Sequence, residues 1–299
     1  MEREYWLELS SVISQVDATW KDPPRLTHRT ATVVRVHLWA ALHDRPLSWA
    51  CEEQNWNPRC RPAGLPDQST MSRRTRGRHG RRLEEFLGVV AQKLNASAAP
   101  PPLLRHKRMD GKALPVAAHS TDRDARWGRG AGQKSKGYKL HAIRSDRPMP
   151  EQWALTPLDV DEKAMARRMI PRLQGAGYLL ADGLFDASEL HDRAAAAHHQ
   201  LVAPRCKPGT GLGHCHHSPH RLRAIDMLES PAHVNPFGPD LYRRRLQIER
   251  DFGNLVSFGG GLTCLPPWVR RIWRVRLWVY AKLLINAARI RYRRRCVGA

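Results

Sequence analysis

The chain has no uninterrupted apolar stretch long enough to cross a bilayer, and its first thirty residues carry no signal-peptide pattern. Neither a membrane-spanning nor a secreted protein is expected. Cysteine is scarce, with six in 299 residues and no disulfide-scaffold spacing, which suits a reducing cytosol. Acidic residues are scarce as well: 28 Asp+Glu face 50 Lys+Arg, for a formal net charge of +22. That imbalance does not specify a fold, but it predicts attraction to a polyanion, so nucleic acid is favoured over membrane as the partner. The length allows a substantial core, arranged as one large domain and a smaller one.

The positive charge is uneven. Residues 241–299 hold fourteen Lys+Arg against two acids, and residues 59–82 hold eight Arg against the single Asp67. Each cluster alone reads as a solvated basic face. Two clusters flanking a less basic middle fit a ligand that touches both ends.

The run Asn95-Ala96-Ser97-Ala98-Ala99-Pro100-Pro101-Pro102 reads as a proline-stiffened linker. Before it the pattern is helical: Thr30 to Leu42, a short second helix from Pro46 to Gln54, and a third capped by Asp67 and running to Arg76. A fourth carries the stripe Leu83, Phe86, Leu87, Val90 and Leu94. The third looks like the recognition element of a helix-turn-helix, with Gln68, Ser69 and Ser72 toward base edges and Arg73, Arg74 and Arg76 toward phosphates. An ordinary bundle with a polar face is the competing reading. After the linker the period changes to strands beginning at Arg108, Tyr138 and Gln152, a helix Lys163 to Leu173, a strand Tyr178 to Ala181, a helix Ser188 to Ala197 and a strand His199 to Ala203. This order describes an α/β mixed sheet flanked by helices, preceded by an all-α helix-turn-helix-like domain. The expected division is 1–98 for DNA binding and 103–299 for catalysis, with an inserted basic loop 204–240 and a basic carboxyl helix 268–295.

Acids at strand ends are candidates for chemistry. Asp110 lies in a strand among His106, Lys107 and Arg108, and Asp182 ends an apolar run before Gly183. Tyr242, Arg245 and Glu249 fall within about sixty degrees on one helix, beside an apolar strip of Leu241, Ile248, Phe252 and Leu255. Arg245 and Glu249 alone also fit a common surface pair. Asp110, Asp182 and Glu249, separated by 72 and 67 residues, can share one or two divalent cations, because crowded carboxylates repel and a hard cation relieves them. Such ions activate a hydroxyl for attack at phosphorus.

Several blocks in order resemble the DDE transposases of bacterial insertion sequences, the group with a Tyr-x2-Arg-x3-Glu-x6-Lys helix. They are Met109-Asp110-Gly111-Lys112, Lys136-Gly137-Tyr138-Lys139-Leu140-His141, Leu155-Thr156-Pro157 with Asp161, Ala181-Asp182-Gly183-Leu184-Phe185-Asp186, and Tyr242, Arg245 and Glu249. Pro66 to Arg74 resembles the amino-terminal domain of such proteins. The resemblance implies an RNase H-like catalytic fold and an Asp110/Asp182/Glu249 triad holding Mg2+ or Mn2+. It implies cleavage at element ends by water, then strand transfer by the freed 3′ hydroxyl into target DNA. Double-stranded DNA, as terminal inverted repeats and target, is the implied partner. A homodimer on DNA and a nucleoid-associated place in a bacterial cytoplasm are implied too. Tyr242 and Arg245 are implied contacts to the DNA backbone, and Lys136 and Lys139 are further DNA-binding candidates.

Two positions depart from the pattern. Val256 stands where the family has Lys, and 204–240 contains no Trp for stacking a flipped base, so a hairpin intermediate is not expected. A catalytically silent DNA-binding descendant and a nuclease without strand transfer are the alternative functions. Cys206, His214, Cys215, His216, His217 and His220 crowd one window but match no zinc spacing, so a solvated, DNA-facing loop is preferred over structural zinc. Residues Trp268 through Ile290 recur at three- and four-residue steps, which predicts a long helix packed on its own domain and ending in a phosphate-gripping Arg tail.

Overall fold

A computed structural model describes residues 2–96, 106–130, 132–212, 217–231, 233 and 236–297. Linker residues 97–102 and His214, Cys215 and His216 lie outside them. The chain forms two compact units, one of Met1–Ala99, Ser120–Asp124 and Asn254–Ala299, the other of Pro100–His119 and Ala125–Gly253.

The first unit contains α1 (Glu2–Asp17), α2 (Thr30–Leu42), α3 (Leu47–Ala50), α4 (Gln68–Arg74) and α5 (Gly77–Ala96). Asp67 caps α4 by accepting the Thr70 N–H at 2.6 Å, satisfying a donor that the helix start leaves open. Trp6, Trp39 and Trp56 meet in the core, with Trp39 and Trp56 stacked at 4.5 Å. The long carboxyl helix, α11 in chain order (Ile272–Val297), also belongs to this unit. It packs on α1, α2 and α5 within this unit, whereas the sequence reading assigned it to the 103–299 domain. Its apolar residues from Val275 to Ala288 are buried on several sides, so periodicity alone does not say which core receives them. Lys282, fully buried among them, donates to the Ala41 carbonyl at the end of α2 and to Asp44 at 2.7 Å.

The second unit is built on six strands: β1 (His106–Pro115), β2 (Arg126–Gly130), β3 (Gln133–Arg144), β4 (Gln152–Pro157), β5 (Gly177–Leu180) and β6 (His199–Val202). Their order is β2-β3-β1-β5-β6, and β4 pairs with β3 as well. β3 is antiparallel to β1, whereas β1, β5 and β6 run parallel. Two-residue alternation gives the sheet two apolar faces. Met109, Ile143, Leu179 and Leu201 pack on α6 (Glu162–Met169) and α7 (Ser188–Ala196). Leu180 and Val202 pack on Met227 of α8 (Pro219–Glu229) and Leu241 of α9 (Phe237–Arg243). Helix α10 (Leu246–Val256) follows α9 after a break at residues 244–245. This is the mixed sheet flanked by helices that the RNase H-like expectation describes. β2 was not foreseen: Arg126-Trp127-Gly128-Arg129-Gly130 has no apolar alternation, and it pairs only along the first part of β3. The insert read as a loop contains α8.

Candidate active site and nucleic-acid interface

The register of β1 and β5 explains the 72-residue spacing of the first two acids. His106, Lys107 and Arg108 pair with Tyr178, Leu179 and Leu180, a constant offset of 72. Carried two residues on, past the end of β5, the same offset brings Asp182 near Asp110, close enough for its charge to act there. Met109 faces the core under α6, so Asp110 and Arg108 open to the other face, where α8 and α9 pack. Asp110 Oδ1 accepts the Gly111 N–H at 2.7 Å. Asp182 Oδ1 accepts the Leu184 N–H at 3.0 Å and caps a short 3-10 turn, which fixes its carboxyl at the strand end.

Burial pushes Asp110 up to about 6, and the negative charge of Asp182 adds to the rise. Asp182 is raised for the same reason, burial, with the Leu184 N–H and Arg245 opposing it. Two half-buried, mutually repelling carboxylates with oxygen donors only are a set that suits a hard divalent cation.

The third acid does not join them. Glu249 lies on α10 with its side chain 56% exposed, and it accepts from Arg245 Nη2 at 3.1 Å. Among the described residues no three His, Cys, Asp or Glu side chains are grouped as metal ligands. The expected single helix is broken after α9, so Tyr242 and Glu249 sit on different helices, and Arg245 occupies the turn between. Arg245 is the shared neighbour. Its charge acts on both Asp110 and Asp182, its side chain is 17% exposed, and its guanidinium lies 6.0 Å from the Tyr242 ring centre. Burial raises the Tyr242 phenol, Arg245 opposes this, and the two aspartates add to it.

Sequence reasoning missed Glu162, the first residue of α6. Its charge reaches Asp110 and Asp182, and its carboxylate accepts from Lys139 Nζ at 2.7 Å. A Cβ on Gly111 would come within 3.2 Å of that carboxyl and 3.3 Å of Lys139, so the glycine leaves room for the pair. An acid in a helix's first turn is commonplace, and only the neighbouring Asp161 stood inside a quoted block. Asp186 was quoted but given no role. Burial alone would raise it, but Arg221 donates to both its oxygens at 2.7 Å. With His191 and the Cys206 N–H, Arg221 holds it well below the usual carboxylate range. This ties α8 to the loop that carries Asp182.

A family model of the transposase DDE domain matches residues 107–283, more than half of the chain. The chain belongs to that family. No curated protein matches. A cryo-EM structure of a piggyBac transposase synaptic complex with hairpin DNA is similar over 68% of this chain and 49% of that one, at 8% identity and a TM-score of 0.35. The chain thus spans about half the length of that protein.

In this DDE-domain chain the expected DNA contacts divide by partner. Gln68 and Ser69 are exposed on α4, Ser69 bonding back to Asp67. Gln68 and the half-buried Ser72 also line a cavity of about 200 Å3 with His37, Trp268 and Trp273. Arg73 is exposed and donates to Thr70, and Arg76 lies 5.8 Å from the Trp273 ring centre. Arg74 is not a free phosphate ligand: it donates to the His28 carbonyl at 2.7 Å and to Thr30 at 3.0 Å, strapping α4 to the start of α2. Lys139 departs from expectation for the same reason, being buried against Glu162 on the face away from Asp110. Lys136 lies half-buried on β3 opposite Trp127. Of the zinc-window residues described, Cys206 is exposed and His217 contacts Arg221 at 3.0 Å. No described helix is long and apolar enough to cross a membrane.

Proposed function

We propose that this chain is a DNA transposase that cuts element ends and joins them to target DNA by metal-dependent phosphoryl transfer. The observation that supports the reading is the neighbourhood of Asp110, midway along β1, and Asp182, just past the end of β5, both within reach of the Arg245 charge. Asp110 and Asp182 would hold Mg2+ or Mn2+, with Glu249 as the third ligand once α10 presents it. A bound cation supplies an activated hydroxyl and neutralises the leaving oxygen. The chain's own groups do the positioning. Arg245 offers a fork suited to two phosphate oxygens, and release from Glu249 would free that carboxylate as it engages DNA. Tyr242 donates its phenolic O–H to the same backbone. α4, with Gln68, Ser69, the half-buried Ser72 and Arg73, and Arg76 just after it, supplies contacts that select the terminal repeat, as a homodimer when two ends are held together.

A silent DNA-binding role is the second reading, favoured by the separation of Glu249 from the aspartates and by Val256 in place of the family Lys. Purified protein incubated with its own flanking DNA and Mg2+ or Mn2+, with breaks mapped to the nucleotide, separates the two. Breaks at the ends of paired inverted repeats support transposition, cut ends never joined to a second duplex indicate a nuclease, and binding without breaks supports the silent role.

A further inference from the structure

We infer that Asp251 is a positioning residue that sets the register of α10 on the sheet, and thereby where Arg245 and Glu249 stand relative to Asp110 and Asp182; this rests on the proposed reading of those acids. Arg108 on β1 and Arg144 on β3 are direct cross-strand partners, and their side chains are 3% and 4% exposed. Two adjacent buried guanidiniums need counter-charge, since an uncompensated buried ion is strongly destabilising. Asp146 serves Arg108 from the loop after β3, at 3.0 Å. Asp251 supplies the counter-charge from α10: its Oδ2 lies 3.3 Å from Arg144 Nε and 3.5 Å from Arg108 Nη2. Gln247, one turn earlier, steadies the other oxygen at 3.3 Å.

The arrangement encodes position through alternating sign. Arg108 and Asp110 are two residues apart on one strand and so share a face. Along that face the strands present a cationic pair and then an anionic pair. The segment opposite answers with Asp251 of α10 at the cations and Arg245, in the turn just before α10, near the anions. A slide of one helical turn, about 5.4 Å, would bring like charges together at one rung or the other. Buried ion pairs are a poor source of net stability, but fixing register is their best-supported use. Glu249 and Asp251 are about 200° apart around the helix, so seating Asp251 on the sheet turns Glu249 away from Arg108 and Arg144 and leaves it beside Arg245. Asp251 Oδ2 is held by charge without a directional hydrogen bond, so a small adjustment of the helix costs little while a full-turn slip is opposed.

The test uses the full-length chain with Asp251→Asn, Asp251→Glu and, as a control on the underlying reading, Asp182→Asn. Mn2+ binding is followed by paramagnetic resonance of the free ion, alongside single-turnover nicking at saturating DNA and thermal melting. Asp251→Asn is expected to slow nicking about 100-fold and to weaken Mn2+ binding about tenfold, with DNA affinity within about threefold of wild type. Asp251→Glu keeps the charge and the fold but is one methylene longer, so it should nick at an intermediate rate with an unchanged melt. That ordering is not expected of a residue that only stabilises the fold. Wild-type nicking and Mn2+ binding in both Asp251 variants would overturn the inference, as would losses that merely track melting temperature. Unaltered Mn2+ binding by Asp182→Asn would instead remove the metal site, and this inference with it.

Discussion

Asp110→Asn should stabilise the folded protein at neutral pH and give no such gain in acid. Burial and the neighbouring Asp182 raise the carboxyl from 3.8 to about 6, so the folded chain binds this proton more tightly than the unfolded chain does. The sign follows from linkage: stability from this group is greatest below pH 3.8, falls as pH rises to about 6, and stays low above that. The rise of about two pH units corresponds to at most about 3 kcal/mol, and partial solvent access brings the expectation to roughly 1–3 kcal/mol. Asn carries no charge and can still accept the Gly111 N–H, so it escapes the penalty without losing the bond. Thermal melts of wild type and variant without divalent ions, at about pH 4 and about pH 7.5, measure the difference. A gain of about 2–4 °C per kcal/mol is expected at the higher pH only. Equal melts at both pH values, or a less stable variant at neutral pH, would refute the reasoning.

Four further outcomes follow from the same structure. Asp186→Asn should cost roughly 2–3 kcal/mol near neutral pH through loss of the paired Arg221 bonds. Because the folded carboxyl is held below its ordinary 3.8, that contribution is complete above 3.8 and fades only in stronger acid, which denaturant titrations across pH will show. Glu162→Gln leaves Lys139 buried without its carboxylate and should lower stability by roughly 3 kcal/mol in denaturant unfolding, while Gly111→Ala should crowd the same pair and melt lower than wild type. Lys282→Ala should destabilise the first unit by roughly 3 kcal/mol, read as earlier loss of helical circular dichroism, because truncating a fully buried side chain leaves a cavity and removes the donor to the Ala41 carbonyl.

Much of the fold was legible because it rests on local rules. The run from Thr30 to Leu42 is α2 as read, the Asp67 cap is where its spacing put it, and the stripe from Leu83 to Leu94 is the buried face of α5. Tyr178 to Ala181 showed its strand by length and apolarity. What escaped depends on partners distant in the chain. Arg74 read as a phosphate ligand and Lys139 as a DNA contact because a sequence shows a cation but not the carbonyl or carboxylate that holds it. The carboxyl helix showed its period but not its destination, since an apolar face does not name the core it joins. The break before α10 falls in a run of arginines with no glycine or proline to mark it. Asp251 carries no local signal of a role, since its partners Arg108 and Arg144 lie on strands far away in the chain. For the acids, the 72-residue interval equals the offset of the β1/β5 register, whereas the 67-residue interval to Glu249 crosses a helix break, and that exposed side chain sits on Arg245.

The most direct measurement is nicking of the chain's own flanking DNA ends by Asp182→Asn in Mn2+, beside a binding assay on the same fragments. Cleavage lost with binding nearly intact is the expected result. Cleavage at the wild-type level would show that the paired aspartates are not where the phosphorus chemistry occurs.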